Sequence, residues 1–477
     1  MARHDVTAVP VARLAEVVGA TLTGDVSVLV TGLTQDSRTV APGDMYCAVR
    51  GETHDGRDFV PDAVASGAVA VMTDDPGLDV TGAVKVLVHD VRAALGPVAA
   101  EAFGRPAERL TMVGVTGTNG KTSVAWMIGA VMRAAGRRVE VRGTLSGERT
   151  TPEAIDMHAA LAAAVESGTD TVVMEVSSHA LALHRVDGIV FDVAVFTNLG
   201  RDHLDFHVTS EAYFAAKAAL FEPTHSRTGV ANADDVHGRL LVDAHPGRVS
   251  GFAAADASDV ESGFDRTSFT WRSLRVGVPM GGNFTLMNAI AAASAAERLG
   301  IDTATVARGL AGMDPVPGRF EPVDNDLGIG IIVDYAHTPD GVRAVLGSAR
   351  PLAAGRVIVV LGCGGDRDSG KRPEMGRAAA ECADVVVVTS DNPRSEDPMR
   401  IIGAIVDGMG DRAGAAIVEP DRRAAIASAI SIAERGDIVV IAGKGHESTQ
   451  EVSGVFLPFS DTEAARVAAG REEGDRA

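Results

Sequence analysis

Six consecutive residues, Gly117-Thr118-Asn119-Gly120-Lys121-Thr122, carry the strongest chemical signal in the chain. A glycine-rich turn that enters a helix points backbone N–H groups at phosphate, and the helix dipole adds to that field. In such a turn Lys121 reaches the β- and γ-phosphates of ATP, the Thr122 hydroxyl lies on Mg²⁺, and Ser123 closes the loop. The usual spacing G-x-x-x-x-G-K-[ST] asks for glycine at 115, where this chain has Val115, so the loop is a variant. Glu175 ends an apolar run and is placed to hold Mg²⁺, and His203, in the loop 197–205, is a candidate for a second metal. Lysine is scarce: of 44 basic residues only Lys85, Lys121, Lys217, Lys371 and Lys444 are lysine. All but Lys85 lie in glycine-rich or strand-end motifs, where a residue that can deprotonate or act as a compact charge has uses that arginine lacks.

Three further loops could recognise a small molecule: Gly362 to Arg367, Asp391-Asn392-Pro393-Arg394, and Gly443-Lys444-Gly445-His446-Glu447. Each follows an apolar run, and in an open parallel sheet the C-terminal strand ends line one crevice. Arg367 and Arg394 can grip a carboxylate in a fork, whereas Glu447 pairs with an amine. Together with Asn392 they suit an amino acid bearing an additional carboxylate and ammonium.

The elements that must hold these groups alternate along the chain, which predicts an α/β fold. Strands are expected at 69–73, 110–116, 171–175, 193–197, 329–334, 357–362, 385–389 and 438–442. Helices are expected at 122–135, 158–167, 287–299, 373–381 and 421–434. Length and the Pro/Gly breaks at 104–106 and 313–318 predict three domains, 1–106, 107–316 and 317–477. The central one is read as a P-loop ATPase-like parallel sheet and the last as Rossmann-like. A net charge of −20 argues against a nucleic-acid partner. The absence of a long apolar run or a leader predicts a cytoplasmic protein without a membrane partner. Three separated cysteines support neither a disulfide framework nor a zinc site.

Taken in order, GTNGKT, EVSSHAL, FTNLGRDHLDFH, YFAAKAALF and ANADD resemble the Mur ligase family of peptidoglycan synthesis. The resemblance spans practically the whole chain. It implies Thr122 and Glu175 on one Mg²⁺, His203 near a second, and Lys217 carbamylated by CO₂ into a carboxylate-like ligand. It implies that Asn288, Arg319 and Asp334 join Gly117 to Ser123 at ATP. Asp36-Ser37-Arg38 and the segment Glu52-Thr53-His54 are similar to the nucleotide-sugar dock of the ligases that add the third amino acid, giving the N-terminal domain a UDP-sugar role. Ser37, Glu52, Thr53 and His54 would then contact the UDP end, with Thr150, Thr151, Ser177 and Arg185 holding the muramoyl-dipeptide. Leu183 stands where the family often has glutamine. Asp391-Asn392-Pro393-Arg394 is similar to the family's meso-diaminopimelate motif, which with Arg367, Gly443 and Glu447 implies that amino acid as substrate and Arg394 as its selector.

The expected reaction is amide formation through an acyl phosphate, with UDP-MurNAc-L-Ala-D-Glu, meso-diaminopimelate and ATP as substrates, catalysed with Lys121, Lys217 and His203 by a monomer. The base that deprotonates the amine is left between His203 and His337. Competing readings are a lysine-adding ligase of the same family, a folylpolyglutamate synthase, and a non-catalytic nucleotide-binding scaffold or regulatory ATPase.

Overall fold

The computed structural model describes residues 3–51, 54–147 and 149–470. Among the described residues the chain is α/β, with three six-stranded sheets, a three-stranded sheet and a two-stranded hairpin. The first sheet runs His4–Pro10, Leu29–Thr34, Asp44–Cys47, Ala70–Thr73, Val84–Leu87, Thr21–Thr23 in spatial order; its four inner strands are parallel and both edges antiparallel. The second is wholly parallel: Val249–Phe252, Ser226–Asn232, Phe191–Phe196, Thr111–Thr116, Thr171–Glu175, Val139–Arg142. Thr111–Thr116 thus lies between the strands that end near Glu175 and Thr197, which sends the phosphate loop, Glu175 and the His203 loop to one edge.

A parallel sheet covered on both faces needs apolar residues at every position, not at alternate ones. Met112, Val113 and Val115 are accordingly buried, with Val113 and Val115 facing helices Lys121–Ala134, Phe284–Arg298 and Thr303–Ala311, and Met112 facing helix Ala154–Glu166. Val115 is therefore core, in register with Glu175 and Val195, and the phosphate turn begins only at Gly117.

The third six-stranded sheet runs Glu321–Pro322, Gly330–Asp334, Ile438–Ala442, Val357–Leu361, Val385–Val388, Ile417–Val418, parallel apart from its first strand. Its strand ends carry the loops at 362–367, 391–394 and 443–447 to a single edge.

The expected strands and helices are present with shifted ends. Helix Ala154–Glu166 starts ahead of the expected 158, and Phe284–Arg298 ahead of 287. Most of the first sheet and the antiparallel meander Ala257–Ser262, Thr267–Trp271, Leu274–Val278 lay outside the expected elements. The hairpin Thr449–Val452/Val455–Pro458 was also missed. No helix among the described residues is long and apolar enough to cross a membrane.

Candidate active site

Gly117 and Gly120 adopt left-handed φ values of 147° and 87°, conformations that side chains rarely tolerate. A Cβ at 117 would overlap the Thr197 hydroxyl, and one at 120 would meet Asn288 Oδ1. The glycines thus let the turn press against two neighbouring elements, and Asn288 is brought directly over the loop. The Asn119 N–H donates to Asn198 Oδ1 (2.9 Å), and Thr197 Oγ1 donates to Asn119 O (2.6 Å). Lys121 Nζ donates to Gly117 O and Thr118 O, both at 2.9 Å. Burial lowers the pKa of this ammonium, and Arg319 adds to the effect.

Glu175 is buried and surrounded by oxygen and N–H groups. It accepts from Thr122 Oγ1 (3.1 Å), Thr144 Oγ1 (3.2 Å) and the Thr144 N–H (2.8 Å). One carboxylate with hydroxyl neighbours is a hard-oxygen donor set of the kind Mg²⁺ takes alongside water and phosphate. Among the described residues no three His, Cys, Asp or Glu side chains cluster as a ligand set, so any ion here would draw on hydroxyls and substrate oxygens as well.

Lys217 meets the same loop at Gly117 O, the carbonyl that Lys121 also engages, and His203 lies close by. Lys217 is 1% exposed; its Nζ donates to Gly117 O (2.8 Å) and lies 4.5 Å from the centre of the Tyr213 ring. Desolvation, with Lys121 close by, holds its pKa well below the ordinary lysine value. The His203 ring stands edge-on to Tyr213 (6.1 Å) and to His179 (4.7 Å). Desolvation also keeps His203 below its usual value, outweighing the adjacent Asp202. Asp202, which its residue type and spacing alone do not single out, is a buried carboxylate 3.4 Å from His203 Nε2, 3.7 Å from His337 Nε2 and 3.6 Å from Lys371 Nζ. His337 and Lys371 follow strands of the third sheet, so Asp202 joins two sheets' loops, and Arg201 makes a second such link to Glu374. The position of Asp202 beside His203, in a strand-end loop, was the available signal.

Arg319, which precedes the first strand of the third sheet, also reaches across, to the hydroxyl that bonds Glu175. Its NH2 donates to Thr122 Oγ1 (3.0 Å), and its guanidinium stacks 4.3 Å from the Tyr335 ring centre. Asp334 is buried, accepting from the Phe320 N–H and the Ala336 N–H at 2.8 Å each, which fixes the turn that aims Arg319. Burial pushes the Asp334 pKa up.

Of the residues expected at a dipeptide, four gather beside Glu175. Thr151 Oγ1 donates to Glu175 O (2.9 Å) and accepts from the Ser177 N–H (3.1 Å). Thr150 Oγ1 is 3.2 Å from Thr144 Oγ1, and Arg185 NH1 donates to Thr151 O (3.4 Å). Arg185 also pairs with Glu153 (2.8 Å), a residue the sequence reading missed, while Leu183 ends the helix Ser178–Ala182 without a polar role. Ser37 lies in a turn of the first sheet capped by Asp36, and His54 is exposed against Phe59. Glu52 and Thr53 lie outside the described residues.

In the third sheet's crevice, Asn392 Nδ2 donates to Glu447 Oε2 (2.8 Å), and Lys444 Nζ donates to the same oxygen (2.7 Å) and to Asn392 Oδ1 (2.9 Å). Arg394, at φ 52°, donates from Nε to Glu451 Oε2 (3.1 Å) and from NH1 to Gly365 O (2.6 Å). Glu451 comes from the unforeseen hairpin. Asp391 and Pro393 are buried beside them, Gly443 (φ 119°) is in close approach to Asp391, and Arg367 is exposed at the rim. Of the expected group of Arg367, Asn392, Arg394 and Glu447, the last three are linked through Lys444 and Glu451, whereas Arg367 stays exposed at the rim.

Comparison with known proteins gives matches along most of the chain. The Mur ligase middle domain matches residues 115–296, the Mur ligase, glutamate ligase domain matches 318–445, and the Mur ligase family, catalytic domain matches 29–102. A Streptomyces coelicolor protein named UDP-N-acetylmuramoyl-L-alanyl-D-glutamate--2,6-diaminopimelate ligase is 43% identical, with 98% of each chain covered. A solved structure bearing the same enzyme name is 32% identical at a TM-score of 0.68, covering 97% of this chain and 99% of its own. Mycobacterium tuberculosis folylpolyglutamate synthase, solved with ADP and AMPPCP, shares the fold at 20% identity and a TM-score of 0.60, but covers 78% of this chain and 94% of its own.

Proposed function

The chain belongs to the Mur ligase family, and on that premise we propose that it is the ATP-dependent ligase that joins meso-2,6-diaminopimelate to the D-glutamyl γ-carboxylate of UDP-MurNAc-L-Ala-D-Glu. The observation that carries this is the reach of Arg319 onto Thr122 Oγ1, with Thr150, Thr151, Ser177 and Arg185 gathered beside Glu175. It supports a site in which nucleotide phosphates and an acceptor carboxylate meet. In this assignment residues 1–106 hold the UDP end through Ser37, Glu52, Thr53 and His54. Residues 107–316 hold ATP and the dipeptide, and 317–477 hold the incoming amino acid. The enzyme acts as a monomer in the cytoplasm.

Gly117 to Ser123, Lys121, Asn288, Arg319 and Asp334 bind and orient ATP. The γ-carboxylate of the dipeptide, steered by Arg185 and Ser177, attacks the γ-phosphate; the bond to the β-phosphate oxygen breaks and ADP leaves. Bound Mg²⁺, held by Thr122 and Glu175, would offset the repulsion between carboxylate and phosphate. Lys217 and His203 would hold a second ion. The suppressed basicity of Lys217 favours the free amine that adds CO₂ to give a carbamate, with loss of one proton. The diaminopimelate amine then attacks the acyl phosphate, forming the amide and expelling phosphate. Arg394 and Arg367 grip the distal carboxylate of this amino acid, and Asn392 and Glu447 hold its ammonium. Positioning of this kind supplies a large share of the rate.

Incubation with ATP, Mg²⁺, the UDP-dipeptide and meso-diaminopimelate should release ADP only when both acceptor and amino acid are present. ADP release that needs neither, or that L-lysine supports as well as diaminopimelate, would overturn the assignment.

A further inference from the structure

We propose that Lys444 is a positioning residue that sets amino-acid selectivity, an inference that presupposes diaminopimelate as the incoming amino acid. Lys444 is 0% exposed, and both of its polar contacts are to residues of the crevice, Asn392 Oδ1 at 2.9 Å and Glu447 Oε2 at 2.7 Å. Asn392 Nδ2 donates to that same Glu447 oxygen, and the Glu451 N–H donates to Asn392 Oδ1 at 3.0 Å. Each contact fixes another. The Asn392 amide cannot flip without turning its NH₂ toward the Lys444 ammonium and the Glu451 N–H. Glu447 is left with Oε1 to offer a ligand, because two donors occupy Oε2.

The charges are arranged in backed pairs. Lys444 stands behind Glu447, and Glu451 stands behind Arg394 (3.1 Å). The segment 444–452 therefore supplies the counter-ion for each of the two groups that would recognise the distal end of the amino acid. A recognition carboxylate already neutralised by a buried lysine is a weak trap for a lone ammonium. L-lysine brings only that ammonium and meets Lys444 and Arg394 as like charges. Diaminopimelate brings an ammonium together with a carboxylate, and the carboxylate is drawn by the very cations that oppose lysine. Lys444 thus acts through Glu447 and through its field, without needing to touch the substrate. A guanidinium is larger and needs more acceptors than this sealed position provides, which accounts for lysine in a chain that otherwise prefers arginine.

The test uses the full chain and steady-state ADP release. Lys444→Met removes charge and donor; Lys444→Gln keeps a donor and removes the charge. Both should lower the kcat/KM ratio of diaminopimelate over L-lysine at least tenfold through KM for diaminopimelate, with KM for ATP and for the UDP-dipeptide within twofold of wild type. A ratio within twofold of wild type in either folded variant would sink the proposal. So would a parallel rise in all three KM values, or failure of both variants to fold by thermal melting, since each points to a purely structural lysine. A wild-type chain that does not use diaminopimelate would instead remove the functional assignment on which the inference stands.

Discussion

Lys217 beside the phosphate loop and Lys444 in the amino-acid crevice are equally hidden from solvent, yet their ammonium groups have opposite company. Lys217 faces a peptide carbonyl and an aromatic ring. Lys444 faces a carboxylate and an amide oxygen that is itself pinned. Lys121 resembles Lys217, with two carbonyls as acceptors. A buried cation without an anion is costly to keep charged and ready to change partners, whereas a buried pair is a fixed part of the architecture. In the proposed mechanism, this difference separates a region that exchanges charged ligands from one that measures them.

The comparison breaks most visibly through the loop lysines. Lys121→Ala should lower kcat by about 10²–10³-fold, as loss of one preorganised donor to developing charge does. Lys217→Ala should fall as far, but added acetate should restore part of its activity and none of that of Lys121→Ala, if a carboxylate-like group is what Lys217 supplies. Equal response of both to acetate would remove the distinction.

Stability should divide the regions in the reverse sense. Arg422 and Asp461 form a fully buried pair under the crevice, with Arg422 also bonded to Ser390 O and Ala442 O just before Asp391 and Gly443. Asp461→Asn strands the guanidinium and should cost about 3–5 kcal/mol in urea unfolding. Lys217→Met, which removes a buried amine with no carboxylate partner within ion-pair distance among the described residues, should leave the urea midpoint unchanged or raise it. Arg394→Ala comes next: loss of a charge-assisted fork worth about 1.5–3 kcal/mol should raise KM for diaminopimelate roughly 10–100-fold with kcat little altered. Unchanged KM would deny Arg394 its selecting role.

The smallest effect belongs to a partly buried carboxylate and its two histidines outside both regions. Asp187 bonds to His184 (2.8 Å) and His225 (3.2 Å); its carboxyl is held down at about 2, and His184 is raised above its usual value. The histidine contribution is complete below about pH 6.5 and disappears as pH rises through the higher folded value, while the aspartate contribution disappears as pH falls toward 2. Asp187→Asn should therefore depress the melting temperature more at about pH 5.5 than at about pH 8.5, by an amount worth about 1 kcal/mol or less. An equal loss at both would mean that the histidine charge contributes nothing.

What could be read in the sequence was whatever a single element states about itself. Continuous runs such as Val385–Val388 announce doubly covered strands, and the loop around Lys121 announces phosphate. Groups defined by distant partners were not legible. Asp202 matters because Lys371 and His337 meet it from another sheet, Glu153 because Arg185 does, and Glu451 because a hairpin with exposed Val455 and Phe456 folds back beside Arg394. The first sheet was mostly missed because its edge strand His4–Pro10 is largely exposed and mixes polar with apolar residues, and its neighbour Leu29–Thr34 is interrupted by threonine and glycine, so neither shows a continuous apolar run.

Gly318 ends the linker before the third sheet and lies at φ 65°, so close to Gly445 and His446 that a Cβ there would overlap their backbone. Its carbonyl accepts from the Tyr335 N–H (3.0 Å) and its N–H donates to Glu321 Oε2 (2.7 Å). The junction is therefore clamped against the loop that bears Lys444 and Glu447. Arg319, one residue on, stacks on Tyr335 and follows the turn held by Asp334, so its guanidinium is built on the same sheet as the crevice floor. The arginine that reaches Thr122 and the loop that bears Lys444 and Glu447 thus share one footing, and a change at Gly318 would disturb both at once.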